Sequence, residues 1–177
     1  MEQKGWDPMQ RRIGIGDLAA TGILTALAIM IPIVFTFLRI TIPPFFTATL
    51  MSHVPSMLAM LMGPFAAVGV GLGSALGFTV FVGPAIGARA LSHALFAWVG
   101  NRAWNRGMPL WLVMLIALPF HAVFEMAVVW VLGGNPTMAL ITLLGTAAHH
   151  AMDGGIALVL VAVLRRTGVR WFEQPAH

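Results

Sequence analysis

Five of the six histidines in this 177-residue chain lie in apolar sequence, and three of them have an ionisable partner four residues away. The three pairs are Arg89 with His93, His121 with Glu125, and His149 with Asp153. A spacing of four places both members on one face of a helix, within contact distance. Ionisable side chains are costly inside a bilayer, so a membrane protein that keeps this many of them is predicted to use them.

Arg89 and His93 are predicted to bind an anion. The planar guanidinium matches a carboxylate, and an imidazole adds a further donor. In the structural alternative, Arg89 extends to the outer membrane interface and His93 bonds a neighbouring helix.

His121 and Glu125 are open to three interpretations: an ion pair, a proton relay or two metal ligands. Glu125 is the only carboxylate in its apolar stretch, and Arg89 is the obvious partner from another helix. A buried bridge from Glu125 to Arg89 or His121 that only orients helices is the structural alternative.

His149 and Asp153 share a helical face, whereas His150 points about 100° away from His149. Asp153 is therefore predicted to fix the tautomer of His149, and the group to form either the floor of a pocket or contacts that orient helices. The remaining histidine, His53, follows Met51-Ser52.

Two other kinds of site compete with anion binding. Histidines and carboxylates at helical spacing can bind Ni, Co or Zn, but H-E-x-x-H is absent and two arginines nearby would repel a cation. We therefore predict no metal ligands. Ser74 in Gly71-Leu72-Gly73-Ser74-Ala75 is similar to the glycine-flanked serine of rhomboid proteases, but one serine in a glycine-rich face is a weak signal for proteolysis.

The composition predicts an integral membrane protein. Hydrophobic residues make up 59% of the chain, charged residues 9%, and the mean hydropathy is +0.88, whereas a soluble domain carries about 25% charged residues. The net charge of +4 comes without a basic run, so no nucleic-acid partner is predicted. The absence of cysteine excludes disulfides and thiolate metal sites.

Apolar stretches long enough to span a bilayer, at about 20 residues each, predict six transmembrane helices. Their approximate ranges are 18–37, 46–62, 65–82, 86–104, 109–132 and 137–164. The fold class is thus an all-α membrane bundle, with a cytoplasmic N-terminal segment 1–16, a membrane domain 17–165 and a cytoplasmic tail 166–177.

The distribution of basic residues predicts the orientation. With both ends cytoplasmic, only Arg39 and Arg89 lie outside, and the other eight lie on the cytoplasmic side: Lys4, Arg11, Arg12, Arg102, Arg106, Arg165, Arg166 and Arg170. This matches the excess of Lys and Arg in cytoplasmic loops. At about 1.5 Å per residue, most polar groups then fall in the outer half of the membrane, which predicts a pocket that opens outward.

Small residues form two helical stripes. Gly69, Gly73 and Gly77 recur every four residues and predict close packing against another helix of the same chain. Gly22, Thr25 and Ala26 in the first helix form a second small face, which suits either docking of a partner or internal packing.

Several segments together resemble the substrate-binding S components of energy-coupling factor (ECF) vitamin transporters, in the niacin- and pantothenate-like subgroup. They are 52–60, Gly63-Pro64, 71–78, Arg89-Ala90-Leu91-Ser92-His93 and 145–153, and the resemblance covers roughly positions 17 to 165. The histidine that follows the initiator Met in the nickel and cobalt members is missing, because position 2 is Glu2.

The resemblance implies a non-enzymatic subunit of the bacterial cell membrane that captures a small water-soluble vitamin, with nicotinate as the best candidate. It implies as partners a transmembrane coupling subunit, which would meet the small face of the first helix, and two cytoplasmic ATPases. This chain has no G-x-x-x-x-G-K-[ST], so no cofactor is expected in it and ATP would be used by the partners. The uptake of a transition metal and intramembrane proteolysis are the alternatives.

The predicted pocket combines charged, polar and aromatic side chains. Arg89 would bind the anion, and segment 39–47 is the predicted lid. Phe45, Phe46 and Trp98 are available for ring contacts. The predicted substrate-binding residues are Arg39, His53, Arg89, His93, Trp98, His121, Glu125 and His149.

Overall fold

The structure is a computed structural model that describes residues 13–43 and 46–173. Its helices are α1 (Ile15–Val34), α2 (Val54–Met62), α3 (Pro64–Phe81), α4 (Pro84–Ala90), α5 (Ser92–Trp104), α6 (Leu110–Val131) and α7 (Pro136–Arg165). Strands β1 (Arg39–Ile42) and β2 (Phe46–Thr49) form an antiparallel hairpin, and short 3₁₀ helices span Thr36–Leu38 and Arg170–Phe172. Lys4, Arg11, Arg12 and Phe45 lie outside the described residues.

Four helices, α1, α3, α6 and α7, are long and apolar enough to cross a membrane. The expected spans 18–37, 65–82, 109–132 and 137–164 correspond to them within a few residues. Exposed large apolar side chains cover their outer surfaces, as a lipid-facing bundle requires, and examples are Leu76, Val80, Leu115, Val131 and Val159.

The expected second and fourth spans are not continuous helices. Residues 46–49 are a strand, and only Val54–Met62 of the second stretch is helical. The fourth stretch is divided at Leu91 into α4 and α5. A mostly helical bundle is therefore confirmed, with a two-stranded hairpin added to it.

Glycine–proline pairs set the sharp turns between the short helices. Gly63 and Gly83 adopt φ angles of 131° and 123°, and the prolines that follow them begin α3 and α4. Glycine tolerates positive φ, and proline is favoured in the first turn of a helix because its missing N–H costs nothing there.

The glycine stripe of α3 packs inside the bundle, as predicted. Gly69, Gly73 and Gly77 lie against Thr21, Thr25 and Ile29 of α1. On the opposite side of α3, a methyl group added at Gly71 would overlap the backbone of Ala94 in α5. Glycine thus allows α3 to approach two helices closely.

The predicted docking residues of α1 separate onto two sides of that helix. Gly22 and Ala26 are exposed, and no atom lies within 4 Å of the position that a side chain on Gly22 would occupy. Thr25 faces inward against Gly73.

The apolar core lies at the end of the bundle where the described chain begins and ends. Met57, Met60, Phe96, Trp104 and Val113 are almost completely buried there. Phe172 from the segment after α7 joins this core, and the Trp171 indole donates a hydrogen bond of 3.0 Å to Asp17 Oδ1. Asp17 and Trp171 therefore lie on the same side of the bundle.

Candidate functional site

A cleft opens at the other end of the bundle, between the hairpin and helices α3, α4 and α7. It contains about 540 Å³ of space, which includes the solvent at its mouth. The hairpin contributes Arg39, Phe46 and Thr49 to its wall. The helices, with the turn before α2, contribute His53, Phe78, Arg89, His93, Glu125, Thr146 and His149.

Glu125 is the central acceptor of this cleft. Its Oε2 accepts hydrogen bonds from Arg89 Nε at 3.1 Å, from Arg89 Nη2 at 2.5 Å and from Thr146 Oγ1 at 2.8 Å. Its Oε1 lies 3.3 Å from His121 Nε2. The ion pair expected between Arg89 and Glu125 therefore exists and links α4 to α6.

Arg89 and His93 do not act as one pair. The helix break at Leu91 lies between them, so Arg89 reaches Glu125 while His93 Nδ1 lies 2.9 Å from Ser74 Oγ on α3. Both side chains still line the cleft, from different helices.

Asp153 joins α7 to the turn that precedes α2. Its carboxylate accepts hydrogen bonds from the backbone N–H groups of Met51 and His53, at 2.7 and 2.9 Å. His149 Nε2 lies 3.3 Å from the same carboxylate, as the spacing of four predicted, and donates to the carbonyl oxygen of Thr49 at 3.0 Å. The turn includes Met51 at a φ of 72°, a strained conformation for a non-glycine residue, and Asp153 holds it in place.

His121 and His150 lie below the cleft, where both are almost completely buried. Their Nδ1 atoms are 3.0 Å apart, and His150 Nε2 donates to the carbonyl oxygen of Met114 at 3.2 Å. His121 thus belongs to the polar cluster without lining the cleft itself.

Of two further predicted site residues, Arg39 lies in the cleft and Trp98 does not. Arg39 lines the cleft, where it donates hydrogen bonds to the carbonyl oxygen of Pro32 and, at 3.4 Å, to Thr49 Oγ1. Trp98 is not among the cleft residues; it is 40% exposed and stacks with Arg102. Five residues beyond His93, its side chain points about 140° away around the helix.

Ser74, Thr146 and Thr49 form side-chain hydrogen bonds with His93, Glu125 and Arg39, and they were absent from the predicted set. Thr146 precedes His149 by three residues and Asp153 by seven, so the polar face of α7 already indicated it. Thr49 and Ser74 carry no such signal, because the hairpin and the α3–α5 contact depend on tertiary structure.

The charges of the cleft favour an anion. Two arginines and one glutamate line it, which leaves one positive charge before any histidine is protonated. Arg89 Cζ lies 5.7 Å from the centre of the Phe46 ring, so a cation and an aromatic face adjoin each other. Four donors, from His53, His93, His121 and Glu125, also lie within 4.8 Å of one another, in an arrangement that could hold a metal ion; His53, His149 and Asp153 form a second such group.

Comparison with known proteins identifies a relative. The chain is 30% identical to the niacin transporter NiaX of Lactococcus lactis, over 88% of this chain and 78% of the relative. No protein-family model matches the chain, and no solved structure matches it significantly. The chain therefore belongs to the family of this niacin transporter, the niacin-like group of S components that its motifs resemble, and it is a transporter and not an enzyme.

Proposed function

We propose that this chain binds nicotinate in the cleft and is the S component of an ECF transporter in a bacterial cell membrane. The observation that carries the proposal is the lining of the cleft, in which two arginines lie beside an aromatic ring. The niacin transport of its relative supports this substrate.

Arg39 is the cleft cation that is available to an added anion. The charge of Arg89 is matched by Glu125 at 2.5 Å. Arg39 bonds a carbonyl and a hydroxyl group and has no carboxylate within ion-pair distance in the described part of the chain. A carboxylate ligand would therefore pair with Arg39 in a cleft that Arg89, His53, His93 and His149 also line, and Phe46 would cover the ring.

The transport cycle would depend on partners. The exposed face of α1 at Gly22 and Ala26 offers a smooth surface for a transmembrane coupling subunit, whose two ATPases would supply the energy. We place both chain ends in the cytoplasm, with six membrane-crossing segments and the cleft toward the outside, because of the positive-inside distribution of basic residues.

The test is the thermal unfolding of the purified protein in detergent with nicotinate, nicotinamide or pantothenate. A ligand at 100 times its Kd stabilises a protein by about 2.7 kcal/mol. We expect nicotinate to raise the Tm more than nicotinamide, which has a similar ring but no charge. The absence of any shift with all three compounds would contradict the proposal.

Arg39→Ala separates the anion contact from the fold. Arg39 is half-buried and bridges no second charge, so the variant should fold and bind nicotinate about tenfold more weakly, equivalent to about 1.4 kcal/mol. Arg106→Ala, at an exposed position outside the cleft, is the matched control. Equal affinities in the two variants would remove Arg39 from the binding site.

A further inference from the structure

We propose that the floor of the cleft binds one divalent transition-metal ion, such as Zn²⁺ or Co²⁺, through His53, His93, His121 and Glu125. These residues are 5% exposed or less, and one donor atom from each lies within 4.8 Å of the others. Three nitrogens and one oxygen are a ligand set that these ions accept. The proposal departs from the sequence expectation of no metal, and it does not depend on which vitamin binds.

The hydrogen bonds behind His121 determine which of its nitrogens is bare. The carbonyl oxygen of Met114 can only accept, so His150 Nε2 carries a proton and, in a neutral ring, His150 Nδ1 does not. His121 Nδ1 must then donate to His150 Nδ1. His121 Nε2 is therefore the bare nitrogen, and it faces Glu125.

A second chain of hydrogen bonds acts on His93 in the same way. The hydroxyl of Ser74 donates to the carbonyl oxygen of Gly71 at 2.8 Å, so its oxygen is the acceptor for His93 Nδ1. His93 Nε2 is then left without a proton. Metal-binding histidines in proteins are held by such a donor contact from the nitrogen that does not bind the metal.

His53 and Glu125 have corresponding outer partners. His53 Nδ1 lies 3.1 Å from Asp153 Oδ2, and a carboxylate at this position favours a proton on Nδ1. Glu125 Oε2 is held by Arg89 and Thr146, which turns Oε1 toward His121. His93, His121 and Glu125 are thus each held by a hydrogen bond from or to a second residue, and His53 has the carboxylate of Asp153 beside it.

One contact is difficult to explain without a cation. His121 Nε2 is completely buried and has no hydrogen-bond partner, although Glu125 Oε1 is only 3.3 Å away. A bare nitrogen and a carboxylate oxygen repel each other unless a positive ion lies between them. With metal–ligand bonds of about 2.0–2.1 Å, two ligands of a tetrahedral ion are about 3.3 Å apart, which matches this contact.

The alternative group of His53, His149 and Asp153 is less suitable. His149 Nε2 donates to Thr49, and both oxygens of Asp153 accept backbone N–H groups. The ligand atoms of His149 and Asp153 are therefore already engaged in hydrogen bonds that hold the turn before α2. Asp153, beside His53 and His149, brings the number of carboxylates to two, which offsets the charges of Arg39 and Arg89.

Titration with cobalt measures the binding of metal to this site directly. The full-length protein without an affinity tag is treated with chelator, desalted and titrated with CoCl₂, and visible absorption reports four-coordinate Co²⁺ with nitrogen ligands. We expect saturation at one equivalent and displacement by ZnCl₂. If the wild-type protein shows no saturable absorption, or if the signal requires many equivalents, the proposal is overturned and a proton becomes the ion shared by His121 and Glu125.

Variants then locate the site. His121→Asn keeps a donor toward His150 but removes Nε2, and we expect it to abolish stoichiometric binding. Ser74→Ala changes only the outer contact of His93 and should weaken Co²⁺ binding about 10- to 100-fold. His149→Gln keeps the donor to Thr49 and should retain one equivalent of metal. A loss in His149→Gln that equals the loss in His121→Asn would assign the ion to the other group, and elution of each variant as a single species in size-exclusion chromatography verifies its fold.

Discussion

Glu125 is shared by three side chains from three helices, and this arrangement explains why a single carboxylate is tolerated there. Arg89 and Thr146 bind one of its oxygens, and His121 faces the other. A buried ion pair adds little net stability compared with apolar residues of similar size, but the removal of one partner leaves an uncompensated charge. The pair therefore fixes α4 against α6 more than it stabilises the fold.

The losses from replacing Arg89 and Glu125 should not be additive. We expect Arg89→Met to lower the free energy of unfolding by about 3–5 kcal/mol, because Glu125 stays buried and charged. The double variant Arg89→Met/Glu125→Gln should lose less than the sum of the two single variants, by about 0.5–3 kcal/mol. Unfolding in mixtures of mild detergent and dodecyl sulfate measures the free energies of unfolding of Arg89→Met, Glu125→Gln and the double variant. Strictly additive losses would contradict the coupling.

The sequence predicted well which side chains meet within one helix. The spacing of four predicted the contacts of His121 with Glu125 and of His149 with Asp153, because helical geometry alone places them together. It misplaced the contact of His93, because the break at Leu91 turns that side chain toward Ser74. Whether the predicted residues bind a vitamin stays a prediction.

Among the elements, α3 and α5 make a close backbone contact. Gly71 lies against the backbone of Ala94, and no side chain separates the two helices at that point. This contact positions Ser74 and His93, which carry the polar groups one turn or less away. The site therefore depends on a glycine that has no polar chemistry of its own.

Gly71→Ala is expected to disrupt this contact. The added methyl group meets backbone atoms, which cannot rotate away, so the bundle should lose about 1–3 kcal/mol of stability or more. Gly155→Ala is the matched control, since nothing beyond its own helix backbone lies within 4 Å of its added methyl group and the change should be neutral or stabilise by up to about 1 kcal/mol. Thermal unfolding in detergent compares the two, and similar Tm values would argue against close packing at Gly71.

Hydropathy predicted the four long helices but not the hairpin. A run of about 20 apolar residues has few alternatives to a membrane helix. Phe46-Thr47-Ala48-Thr49 is too short for periodicity to separate a strand from a helix, and its strand conformation comes from pairing with Arg39–Ile42.

For the whole molecule, polar and apolar interiors occupy opposite ends of the bundle. The apolar core around Met57 and Trp104 lies beside the ends of the described chain, near Asp17 and Trp171. The histidine cluster and the cleft lie at the other end, beneath the hairpin. In the described residues the cleft thus opens at the hairpin end, while apolar side chains fill the opposite end.

The orientation of this asymmetry is testable because the natural chain has no cysteine. We expect Ile42→Cys, at an exposed position of the hairpin, to react with a membrane-impermeant maleimide in intact cells. Arg106→Cys, exposed in the connection after α5, should react only after permeabilisation. The reverse pattern would show that the cleft faces the cytoplasm.

The contact between α1 and α3 has a mechanical consequence. The hydroxyl groups of Thr21 and Thr25 bond to carbonyl oxygens within α1, so methyl groups face the glycines of α3. Contacts between these methyl groups and the glycine backbone are attractive at short range but have little directional preference along the helix axis. Displacing α1 along α3 would break few oriented bonds, so another membrane protein could shift α1 along α3 at a low energetic cost.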